Sequence, residues 1–129
     1  MKSQIPTGFR ISSGDFNLRE NQNFPGEKKL DACLIFCEEK MNVAAVFAQN
    51  IFAGAPIVLN KKHLKKSGNL CRAVLINTVF SNAGTGEIGE KNAARIAEYL
   101  AKKIGCESNE LLFLPLEFKI PLPLGRFYR

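Results

Sequence analysis

The chain has 129 residues, the size of one domain of roughly 100–150 residues, which argues against a two-domain enzyme with a complete interdomain cleft. With 46% hydrophobic and 23% charged side chains and a mean hydropathy of −0.07, it has the composition of a folded globular protein rather than a disordered one. Its apolar runs stop well short of the about 20 residues needed to cross a bilayer. Gln4, Pro6 and Gly8 punctuate the start where a secretory signal would need an apolar core, so a cytoplasmic protein with no membrane association is expected.

Residues 1–29 are rich in Gly, Pro, Asn and Ser and read as an irregular approach with at most a short hairpin. Leu30–Cys37 and Val43–Ala48 are short apolar runs on either side of the polar Glu38–Asn42, a pattern that predicts an antiparallel pair of buried strands. Pro56 followed by Ile57, Val58 and Leu59 predicts a third strand, opened by the proline or placed on an edge. Arg72–Phe80 carries the continuous block Ala73, Val74, Leu75 and Ile76, expected to be buried on both faces. After the turn Ser81–Gly86, a helix is predicted from about Glu87 to Ile104, because Ala93, Ile96, Ala97, Leu100, Ala101 and Ile104 form one stripe. Glu87 and Glu90 near its start, Lys102 and Lys103 near its end, and Gly105 just beyond agree with those limits. Glu110–Leu116 is a final strand, and Pro121 and Pro123 oppose regular structure after it. The fold class is α/β: a partial layered domain with a mixed sheet and one well-defined amphipathic helix.

The net charge of +6 arises in the second half. Residues 1–60 hold six basic and six acidic side chains, whereas residues 61–129 hold twelve and six. Lys61, Lys62, His63, Lys65 and Lys66 form the densest cluster, but no aromatic is interleaved with it, so a solvated turn or short helix is expected and no nucleic-acid partner. His63, without a nearby carboxylate, reads as a surface residue. Cys33, Cys37, Cys71 and Cys106 lie in or beside apolar stretches and read as reduced core fillers; Cys33-x3-Cys37 lacks the second close pair that a zinc site requires. Gly84-Thr85-Gly86-Glu87-Ile88-Gly89 satisfies G-x-G-x-x-G between a strand and a helix, which raises nucleotide binding as an alternative. Glu87 in the first helical turn would repel a phosphate.

Several ordered segments resemble the amino-terminal part of the ornithine acetyltransferase (glutamate N-acetyltransferase) family. These are Leu30–Ile35, Ala44–Asn50, Ala53–Ile57 with His63-Leu64, Arg72–Asn77, and Asn82–Glu87 with Gly89 leading into an alanine-rich helix. Gly8-Phe9 and Pro121–Leu124 fit the same frame. The resemblance implies arginine biosynthesis: acetyl transfer between N-acetylornithine and glutamate through a threonine that self-cleavage of a precursor into two subunits sets free. It also implies that this threonine and the lysine before it lie downstream of these residues. The oxyanion-hole stretch Ser-Thr-Gly-Val-Ile-Gly should fall between Leu111–Phe113 and Pro121–Pro123, where this chain reads Leu114-Pro115-Leu116-Glu117-Phe118-Lys119. Pro115 has neither the hydroxyl nor the amide proton of the expected threonine, and Leu116 does not adopt glycine-only angles cheaply. Losing one such donor costs about 3–4 kcal/mol of transition-state stabilisation.

The expectation is therefore one incomplete domain, residues 1–129, of a truncated relative that is inactive alone. It has no assignable catalytic, cofactor-binding or metal-ligating residue and needs no cofactor. The alternative is an interaction module that self-associates or pairs with a complementary catalytic chain.

Overall fold

A computed structural model describes residues 5–15, 30–49, 51, 53–78 and 84–116. It contains β1 (Phe9–Gly14), β2 (Ala32–Asn42), α1 (Ala55–Ser67), β3 (Leu70–Thr78), α2 (Gly86–Ile104), a 3-10 turn at Ser108–Glu110 and β4 (Leu111–Leu116). The strands form one mixed sheet in the order β1-β2-β3-β4. β1, β2 and β3 are antiparallel neighbours, whereas β4 lies parallel to β3. That parallel pair needs a long crossover, and α2 supplies it.

The register gives the two sheet faces distinct roles. Rows Arg10, Phe36, Ala73, Leu111 and Ser12, Leu34, Leu75, Phe113 run across one face. There Ala73, Leu111 and Phe113 form the main core with Leu59 of α1 and Ala93 and Ala97 of α2. Alanine along the inner side of α2 lets that helix approach the sheet closely. A smaller cluster joins Leu64, Cys71 and Leu112, with Val43 and Phe47 against it.

Several elements differ from the sequence expectation. Phe9–Gly14 is a full six-residue strand, too polar to announce itself because four of its residues are exposed. β2 runs through the charged Glu38–Lys40 to Asn42, crossing an irregularity before Met41 pairs with Cys71, and Val43–Ala48 is irregular chain rather than a strand. The third predicted strand, Ile57–Leu59, is the first turn of α1. Pro56 fits there because the first helical turn has no intrahelical partner for its N–H groups. Gly68 ends α1 in the left-handed conformation, its N–H donating to Leu64 O. Lys61, Lys62, Lys65 and Lys66 lie on the exposed side of α1, so the lysine-rich run is a solvated helix face. The predicted strand Arg72–Phe80 is realised as Leu70–Thr78. In it only Cys71 and Ala73 are fully buried, since just one face of the sheet carries helices. The helix expected at Glu87–Ile104 is α2, capped by Gly105. Ser81–Ala83, Pro121 and Pro123 lie outside the described residues.

His63 corrects the surface assignment: it is 8% exposed, with Nδ1 2.7 Å from Leu111 O. A carbonyl only accepts, so Nδ1 carries the proton. One turn earlier, buried Asn60 donates from Nδ2 to Phe113 O at 2.7 Å and accepts from Phe113 N–H at 2.8 Å. Leu111 and Phe113 are alternate residues of β4, and their backbone groups point away from β3. The buried side of α1 thus completes the sheet edge as another strand would, which removes an open edge.

Candidate functional site

Ligands of α/β sheets bind beyond the carboxyl ends of parallel strands, so the place to look is where β3 and β4 finish. The register sets Asn77 beside Pro115 and Thr78 beside Leu116. The asparagine that opens the glycine-rich signature and the position expected to supply an oxyanion donor therefore stand side by side, although 38 residues separate them in sequence. The strand end is braced from β2: Thr78 N–H donates to Asp31 O at 2.9 Å, and Thr78 Oγ1 donates to the same oxygen at 3.4 Å.

Pro115 alternates with Phe113 and Leu111, so its nitrogen lies on the side of β4 that does not pair with β3. A missing N–H there breaks no ladder bond, which is how proline is tolerated in this strand. The same geometry withdraws a backbone donor from the strand end.

The glycine-rich turn enters α2 at the same end of the sheet. Gly84 and Gly86 have φ of 70° and 56°, left-handed values that glycine adopts at no steric cost, and a Cβ on either would meet open space. Gly89 is different, because a Cβ there would lie 1.8 Å from Thr85 Oγ1, 2.6 Å from Thr85 Cβ and 3.2 Å from Ala55 Cβ. It lets the first turn of α2 fold over Thr85 and approach the start of α1. All three glycines thus have a conformational or packing reason, and the G-x-G-x-x-G match lends no separate support to a nucleotide.

Beside the strand ends, a groove of about 1000 Å³ opens between α2 and the sheet. Leu75, Phe113, Ile96 and Tyr99 supply apolar walls, and Asn77 and Asn92 add amides. Among the described residues no group of three or more His, Cys, Asp or Glu side chains could hold a metal ion. Likewise, no helix there is long and apolar enough to cross a membrane.

The opposite end of the sheet holds the charged and thiol groups. Glu110, 3% exposed, pairs with Lys40 and accepts from Glu107 N–H at 3.2 Å. Burial works against its charged form, but the Lys40 and Glu107 hydrogen bonds and the nearby Lys40 and Arg72 charges outweigh it. The carboxyl is held below its ordinary 4.5. Arg72 donates to Cys37 O and, at 3.0 Å, to Gly105 O, with its guanidinium over the Phe36 ring. It ties the carboxyl end of α2 to β2. Burial, with a smaller contribution from Glu110, pushes the Cys71 and Cys106 thiols above 9.0, a hydrogen bond with the Ala73 backbone partly offsetting this for Cys71. Cys37 and Cys71 are buried, Cys33 and Cys106 half-buried, and all four are free thiols. Apart from Cys33, which pairs with Ile76 toward the other end, these groups lie around the amino ends of β3 and β4 and hold them together.

Sequence reasoning missed Asn60, His63 and Arg72. A signal for the first two was present, since residues 56, 59, 60, 63 and 64 have helical spacing.

The fold is a layered α/β architecture, with the candidate site at the carboxyl ends of two parallel strands. The ArgJ family model matches residues 19–115, and the chain belongs to the ArgJ family. It is 38% identical over 107 residues to the arginine biosynthesis bifunctional protein ArgJ of Chlorobaculum tepidum, an alignment covering 83% of this chain and 25% of that protein. Against the ArgJ of Caldanaerobacter subterraneus subsp. tengcongensis it is 32% identical over 126 residues, 97% of this chain and 29% of the relative. The solved ornithine acetyltransferase of Mycobacterium tuberculosis, complexed with ornithine, superposes with a TM-score of 0.72 at 25% identity, covering 89% of this chain and 58% of that one. The ArgJ structure from Bacillus halodurans, 22% identical, shares the fold with a TM-score of 0.72 over 91% of this chain and 58% of its own. The chain thus spans about a quarter of the length of the curated relatives it matches.

Proposed function

We propose that these residues form the amino-terminal layer of an acyltransferase of arginine biosynthesis, one that moves acetyl between N-acetylornithine and glutamate, and that by themselves they are inactive. Family membership over residues 19–115 supports the reaction class. The observation that carries the inactivity is Pro115 at the end of β4, beside Asn77, where the resemblance requires a threonine hydroxyl and a backbone donor. The resemblance also puts the acetyl-accepting threonine outside these residues, so no covalent intermediate forms on them. Four free cysteines are consistent with the reducing cytoplasm where such an enzyme would work.

The test is exchange of labelled acetyl between N-acetylornithine and glutamate with the 129-residue chain alone. No exchange above the uncatalysed background is expected, and turnover would refute the reading. A second reading, an interaction module that self-associates or pairs with a catalytic chain, draws support from the apolar sheet face that the helices leave uncovered.

A further inference from the structure

We draw no further inference here: the strongest candidate, the apolar groove between α2 and the sheet walled by Leu75, Ile96, Tyr99 and Phe113, carries nothing because nothing in the structure shows what covers it.

Discussion

Replacing Asn60 by alanine should release β4 from α1. Its side-chain amide makes two buried hydrogen bonds to one residue, donating to Phe113 O at 2.7 Å and accepting from Phe113 N–H at 2.8 Å. Phe113 is 4% exposed, so truncation leaves its N–H and C=O without partners and out of reach of water. Each stranded group costs about 1–3 kcal/mol, and the two together about 2–6 kcal/mol. A domain of this size has roughly 5–15 kcal/mol in total, so the loss is a large part of its stability. Urea unfolding followed by circular dichroism should show a lower midpoint with an unchanged slope. Hydrogen exchange should show the Phe113 amide losing protection ahead of the central strand. Asn60→Asp adds a control on mechanism. Its carboxylate still accepts from Phe113 N–H but faces Phe113 O with no proton, so the defect should be larger at neutral pH than in mild acid, where a protonated carboxyl can donate again. If Asn60→Ala costs less than about 0.5 kcal/mol, within the range of ordinary surface substitutions, the edge-sealing argument is wrong.

Gly89→Ala should destabilise by about 1–3 kcal/mol although alanine is the better helix former, because the new methyl collides with Thr85 and Ala55; a gain in melting temperature would contradict the packing reading. Glu110 gives a pH signature: its folded-state value lies below the unfolded one, so its contribution is present above about 4.5 and fades as pH falls through the lowered folded value. Glu110→Gln should therefore be less stable at neutral pH, with a flatter acid limb in urea titrations repeated across pH. Pro115→Thr should change stability by less than about 1 kcal/mol, because its nitrogen faces away from β3, and should confer no acetyl exchange on the chain alone. Cys71, 1% exposed and with its thiol held protonated by burial, should resist a thiol reagent until the protein is unfolded; modification at the rate of a free thiol would show that the sheet opens locally.

The elements legible in the sequence are those whose burial is one-sided and apolar. α2 announces itself because every residue of its inner stripe is Ala, Ile or Leu and its ends carry the expected charges and Gly105. β3 and β4 do so through continuous apolar blocks. α1 was hidden because two members of its inner stripe, Asn60 and His63, are polar: they face a strand edge, where the backbone needs hydrogen-bonding partners. The apolar triplet after Pro56 then looked like a strand. β1 and the far half of β2 escaped notice because exposed strand positions carry Ser, Glu and Lys, which no periodicity separates from loop. The glycine-rich turn was legible as a feature but not in its cause. The contact between Gly89 and Ala55 joins two helices, and only the three-dimensional arrangement brings them together.

The two ends of the sheet bear on the proposal that family membership and activity come apart here. The amino ends of β3 and β4 are fastened by Arg72, Glu110 and Lys40, groups whose loss would cost stability. At the carboxyl ends, Pro115 sits in β4 at a position whose N–H would not have paired with β3. Removing that donor leaves the ladder, the core and the crossover through α2 intact. The ladder with β3 therefore places no demand on this residue's nitrogen, and on the proposed reading only chemistry would have required a donor there. On that reading, a chain can retain 38% identity to an ArgJ protein, and superpose on solved relatives with a TM-score of 0.72, while lacking a hydrogen-bond donor that an acyl-transfer intermediate would use. Similarity over the frame reports what the sheet needs to fold. On the proposed reading, whether an acetyl group moves depends on strand-end atoms that the frame does not constrain.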